Sequence, residues 1–87
     1  MTIHTGQLTA STTSQQIDGN NTGWSHLHIR NNDNTKNVFI GNSNLTIDNG
    51  LQLDPKAWVD FDLPPGDAIS IVTSDGTSSI SWLRIDN

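Results

Sequence analysis

The side chains best suited to chemistry in this sequence are its three histidines, His4, His26 and His28. His26 and His28 stand two residues apart in an alternating segment, so both point to one side of a predicted strand. Two imidazoles in this arrangement can chelate Zn²⁺ or Ni²⁺, but no third ligand is evident. We therefore predict no metal site. The pair is interpreted as part of an interaction surface, where it would titrate near neutral pH if it faced a subunit interface.

Carboxylates and serines are plentiful, yet their spacing does not indicate catalysis. Asp60 and Asp62 share a strand face, as paired carboxylates for acid and base work would. Charges on a solvated strand also discourage sheets from joining edge to edge, and this interpretation is favoured. No Gly-x-Ser-x-Gly nucleophile motif is present. The sequence predicts a protein that is not an enzyme, with no catalytic residues and no cofactor.

Two Asn-rich segments, Asn31–Thr35 and Asn42–Asn44, have the alternating oxygen ligands of calcium loops. The bidentate Glu that closes such a loop is missing, because the chain contains no Glu. Turn chemistry explains both segments without an ion. We predict a hairpin loop over Asn31–Lys36 and a long loop between Gly41 and Gly50, whose glycines would permit unusual backbone angles.

The three tryptophans, Trp24, Trp58 and Trp82, suggest either core packing or a platform on which sugar rings stack. Trp58 is the best candidate for exposure, because it alternates out of phase with the apolar Val59 and Phe61. The candidate interaction surface consists of Trp58, His26, His28, Asn42 and Asn44.

Composition excludes several classes of partner. The nine acidic residues are all Asp, the net charge is −5, and only Arg30, Lys36, Lys56 and Arg84 are basic. So few cations do not build a surface for nucleic acid or for anionic membranes. About a third of the residues are apolar and none is Cys. So thin a core indicates help from oligomerisation, docking onto an assembly, or a metal.

Short alternating segments separated by turns predict an all-β fold, a small antiparallel β-sandwich with about 7–8 short strands. Jelly-roll and immunoglobulin-like strand orders both stay open. Residues 1–87 are interpreted as one domain, with 1–23 a possible N-terminal arm or edge strand. Asp75-Gly76 predicts a further hairpin, and a change of apolar face near Trp82 indicates either a bulge or a strand covered on both sides. The predicted inward residues are Leu27, Ile29, Val38, Ile40, Val59, Phe61, Ile69, Ile71 and Ile80.

Several segments taken together resemble small β-sandwich virion proteins of tailed bacteriophages. The resemblance covers about residues 24–85 and rests mainly on turn signals: Leu27–Asn32, Asn37–Gly41, Leu45-Thr46, Asn49–Leu53, Asp54-Pro55, Leu63–Asp67, Ser74–Thr77 and Trp82-Leu83. It implies a structural role as a capsid decoration (cement) protein, a head-fibre component or a small tail-associated module. Such a protein most often stabilises the shell as a homotrimer. The implied partner is the major capsid protein or another virion protein, and the implied location is the virion, after synthesis in the bacterial host cytoplasm. The alternative is a carbohydrate-binding module or a receptor-binding component of the tail tip.

Overall fold

The structure, a computed structural model, describes residues 2–17 and 23–86. Of the predicted N-terminal segment 1–23, residues 1 and 18–22 therefore lie outside the described residues. Eight strands run through the described ranges: β1 (Thr2–Ala10), β2 (Gln15–Gln16), β3 (Ser25–Asn31), β4 (Val38–Gly41), β5 (Leu51–Leu53), β6 (Trp58–Leu63), β7 (Ser70–Thr73) and β8 (Ser78–Asp86). No helix occurs within these ranges.

The strands form two four-stranded antiparallel sheets, and the predicted all-β sandwich is confirmed. The first sheet has the order β1-β8-β3-β6 and the second has the order β2-β7-β4-β5. Among the described strands, only β4 and β5 are consecutive in the chain and in the same sheet, and every other pair of consecutive strands lies in opposite sheets. An immunoglobulin domain instead keeps its first two strands in one sheet. The observed order is that of an eight-stranded jelly roll, which decides between the two predicted orders.

The core lies between the two sheets and contains the predicted inward residues. Six of these are buried, namely Leu27, Ile29, Val38, Ile40, Ile71 and Ile80, and the other three, Val59, Phe61 and Ile69, pack against them while partly exposed. Ala10 and Ile17 are also fully buried in this core. The N-terminal segment thus supplies core side chains, and β1 pairs with β8 along its whole length as an edge strand of the first sheet.

Asn31, at the end of β3, ties the two sheets together. Its side chain is fully buried, and its Nδ2 donates to the carbonyl oxygens of Lys36 at 2.8 Å, Leu53 at 3.1 Å and Asp54 at 3.2 Å. Its Oδ1 accepts a hydrogen bond from the backbone N–H of Asp33 at 3.0 Å. One amide therefore satisfies backbone groups where the chain leaves β3 for the second sheet and where it leaves β5 for the first.

Two predicted hairpins are wrong. The turn at Asn31–Lys36 joins β3 of the first sheet to β4 of the second, and the turn containing Asp75 and Gly76 joins β7 to β8 in the same crossing manner. Gly76 does adopt a left-handed conformation, with φ of 60°. The Asp-Gly signal specifies a tight bend, and such a bend serves a corner between sheets as well as a hairpin.

Strand β8 contains no bulge. Its register with β1 and with β3 is uninterrupted from one end to the other, so the first of the two predicted alternatives is wrong. Trp82 points inward and lies against Gly6, where an added Cβ would stand 2.6 Å from Trp82 Cζ2. Leu83 and Ile85 take the alternate positions and lie half-buried on the outside of the sheet. β8 therefore presents apolar side chains on both faces, Trp82 toward the core and Leu83 and Ile85 on the outside.

Candidate interaction surface

The outer face of the first sheet, which points away from the core, brings together most of the side chains of interest. Its alternate residues line up in three rows across β1, β8, β3 and β6 because the pairing fixes which side chains are neighbours. The rows are Ile3-Ile85-His26-Asp62, then Thr5-Leu83-His28-Asp60, then Gln7-Ser81-Arg30-Trp58. We call this set of residues the outer face.

His26 lies between two carboxylates of the neighbouring strand. Its Nδ1 is 2.9 Å from Asp62 Oδ1 and its Nε2 is 3.4 Å from Asp60 Oδ2. The hydrogen bond with Asp62 raises the pKa of His26 above its ordinary value of 6.5, burial opposes the rise, and Asp60 adds to it. Only the protonated ring can donate a hydrogen bond to both carboxylates at once, because a neutral imidazole has a single N–H.

His28 and Trp58 form an aromatic pair on the same face. Their ring centroids are 5.1 Å apart with planes inclined by 29°, a stacked arrangement. Trp58 is nevertheless 59% exposed, in agreement with its alternation in the sequence. A large aromatic side chain held in one orientation at the surface costs little conformational entropy on binding and offers a large contact area.

Aliphatic side chains continue the apolar surface away from this pair. Ile3 is 60% exposed on the edge strand, and Leu83 and Ile85 are half-buried beside it. A stripe of apolar side chains crosses the sheet obliquely from β1 to β6. It consists of Ile3, Ile85, Leu83 and Trp58, with His28 between Leu83 and Trp58. We call this stripe the apolar diagonal.

A shallow depression of about 400 Å³ lies on one side of the apolar diagonal. Its polar lining comes from Thr5, Gln7, His28, Arg30, Asn32 and Ser81, with Leu83 also contributing. Arg30 is exposed, and none of the ion pairs found among the described residues involves it. No Asp of the described residues lines the depression, although the chain carries a net charge of −5. We call it the donor depression, since the polar side chains of its lining can all donate hydrogen bonds.

The predicted surface residues separate into two groups. Trp58, His26 and His28 lie together on the outer face, whereas Asn42 and Asn44 lie in the loop between β4 and β5 of the second sheet. Asn42 Oδ1 accepts a hydrogen bond from the Asn44 N–H at 2.9 Å, so it shapes this loop. At the end of this loop the backbone of Gly50 lies close to Phe39, and an added Cβ would stand 2.9 Å from Phe39 Cβ. A glycine is therefore needed at position 50.

The two calcium-like segments are explained by turn chemistry. The Asp33 carboxylate accepts hydrogen bonds from the backbone N–H groups of Thr35 at 2.9 Å and Lys36 at 2.7 Å, and these bonds lower the pKa of Asp33. No group of three or more His, Cys, Asp or Glu side chains suited to a metal ion occurs in the described ranges. Within the same ranges, no helix is long and apolar enough to cross a membrane.

The sequence interpretation missed the aliphatic part of the outer face. Ile3 reads as one apolar residue in a polar segment, and Leu83 and Ile85 read as a possible bulge. Their common location depends on the pairing of β1 with β8, and a local pattern does not encode that pairing.

No protein-family model and no curated protein matches the sequence. The fold is similar to a solved structure of Bacillus endospore appendages, which form disulfide-linked pili. The similarity has a TM-score of 0.67 at 15% sequence identity and covers 98% of this chain and 85% of the other. At this identity the similarity shows a shared jelly-roll fold.

The prediction of a phage capsid decoration protein is therefore wrong: the similar structure is that of a bacterial appendage, and no family model or curated protein connects the chain to a phage virion. The resemblance rested on turn signals, and any jelly roll whose strands cross between sheets at the same places needs similar turns. The sugar-binding and receptor-binding alternative is not carried forward. The predicted homotrimer and the expected lack of a nucleic-acid or membrane partner stay predictions.

Proposed function

We propose that this chain is a non-catalytic structural subunit that self-associates without covalent links, as a building block of an appendage or a comparable assembly. The outer face carries this proposal, because it presents the exposed Trp58 and Ile3 and the half-buried Leu83 and Ile85 as one apolar stripe across the sheet. An apolar surface rimmed by polar side chains is typical of protein–protein contact.

The fold shared with the endospore appendage supports a structural role, although the chemistry of assembly must differ. That appendage is a disulfide-linked pilus, whereas these 87 residues contain no cysteine. Any assembly built from them depends on apolar contact, hydrogen bonds and charge. We therefore expect its stability to depend on protein concentration and to be indifferent to thiol reductants.

Sedimentation velocity of the purified chain, from about 1 μM to about 1 mM, tests the proposal across the usual range of weak affinities. Species larger than the monomer should increase with concentration, and 10 mM dithiothreitol should leave their proportion unchanged. Negative-stain microscopy of the most concentrated samples shows whether association continues to fibres. A single monomeric species across the whole range would overturn the proposal.

A further inference from the structure

We propose that the outer face is a self-complementary interface that pairs two copies of this chain about a two-fold axis running along the apolar diagonal. The assignment rests on the proposed function, since it names the partner of the same surface. Three observations carry it: the direction of the apolar diagonal, the position of the acidic residues, and the position of the donor depression.

The direction of the apolar diagonal follows from strand geometry. Across the sheet, Ile3 and Trp58 are three strands apart, which is about 14 Å at about 4.8 Å per strand. Along the strands they are two rows, or four residues, apart, which is also about 14 Å at about 3.4 Å per residue. The apolar diagonal thus runs at about 45° to the strands. A two-fold rotation about it makes the strands of the two copies cross at about 90°, one of the two angles at which sheets pack face to face.

The polar groups lie on opposite sides of this line according to charge. Arg30, Gln7 and Ser81 stand on one side with the donor depression, and Asp60 and Asp62 stand on the other with His26. The rotation exchanges the two sides, so the acidic side of each copy covers the donor depression of the other. A two-fold interface requires this self-complementarity, because each copy contributes the same surface.

The rotation also predicts individual contacts. With the same spacings, Arg30 of one copy comes opposite Asp60 of the second copy, and Gln7 comes opposite Asp62. The side chains of Asp60 and Asp62 are 46% and 71% exposed, so their outward oxygens stay accessible while His26 contacts them. Each contact occurs twice in the dimer. Trp58 and His28 lie near the axis, where the two apolar diagonals pack against each other.

Charge exchange tests this arrangement. R30D and D60R each replace two attractive contacts with two repulsive ones, and each should raise the dimer dissociation constant at least about tenfold. The double variant R30D/D60R restores opposite charges in every contact and should recover dimerisation. A mixture of the two single variants should form a heterodimer, because both of its contacts are again attractive. D48R, which makes the same charge change as D60R on an exposed loop of the second sheet, is the matched control for D60R and should dimerise as the wild type does.

Sedimentation equilibrium measures all of these proteins, with circular dichroism to show that each is folded. Weakened single variants with recovery in both the double variant and the mixture are the expected result. Association that R30D and D60R leave unchanged would overturn this interface while the proposed structural role stands. Single variants that weaken association with no recovery in either combination would also overturn it. A monomeric wild-type chain would overturn the interface and the proposed function together.

Discussion

Replacement of Asn31 by Ala should be among the most destabilising polar substitutions in this fold. The side chain is fully buried, and it bonds to Lys36 O, Leu53 O and Asp54 O and accepts from Asp33 N–H. Ala leaves these backbone groups without their partner at a buried or partly buried site. The two sheets then lose a connection at the point where the chain passes between them.

The expected magnitude follows from the number of bonds. The amide has two hydrogens, so Nδ2 makes two full hydrogen bonds shared among three carbonyls, and Oδ1 makes one more. At about 1 kcal/mol for each bond, and more where a buried carbonyl is left unsatisfied, N31A should lower the free energy of unfolding by about 2–4 kcal/mol. A chain of 87 residues has a total stability of about 4–13 kcal/mol. The loss corresponds to a decrease in Tm of about 10–25 °C.

Urea denaturation monitored by tryptophan fluorescence gives this quantity directly. N34A is the matched control, because Asn34 is exposed in the same loop, and it should change stability by less than about 0.5 kcal/mol. N31D should be worse than N31A, since it places a carboxylate where an amide had donated to three carbonyl oxygens. If the free energy of unfolding of N31A lies within about 1 kcal/mol of the wild-type value, or if N31D is more stable than N31A, the Asn31 amide does not stabilise the connection between the sheets as described.

Two further predictions concern glycines and histidine. G50A should lower the free energy of unfolding by about 1–3 kcal/mol, because the new methyl group meets Phe39 Cβ at 2.9 Å. G66A places its methyl group in open space at a φ of 82°, so its loss of about 1–2 kcal/mol should come from backbone strain alone. A G50A variant as stable as the wild type would contradict the packing argument. The raised pKa of His26 means that its stabilising contribution is complete at pH below its ordinary value of 6.5 and is lost as the pH rises through the folded-state value. NMR titration should show D62N lowering the His26 pKa more than D60N does, and the reverse order would contradict the assignment of Asp62 as the main cause.

The sequence predicts this fold well where the signal is local. Alternation of Leu27 with Ile29, and of Val59 with Phe61, correctly identifies two strands and their inward sides. The sequence does not predict to which sheet a strand belongs. The turn at Gly76, for example, is compatible both with a hairpin and with a connection between the two sheets.

The candidate surface shows the same limit. Trp58, His26 and His28 could be placed on exposed strand faces from alternation alone. Their neighbours could not: Ile3 and Ile85 are far apart in the chain, and only the register of β1 with β8 makes them adjacent. The role of Asn31 was equally hidden, since a buried Asn that bridges sheets has the same local sequence context as an Asn in a solvated turn.

The central position of β8 has a consequence for how this protein is made. β1 has no partner among the other described strands, and β3 can pair only with β6, until Ser78–Asp86 is available. During synthesis the first sheet therefore cannot be completed until β8 has left the ribosome. Pairing between such distant segments is slow, because the entropy cost of closing a long loop comes before any stabilising contact forms. We expect the first sheet to form late, with its unpaired strands exposed to chaperones and to aggregation until β8 is available.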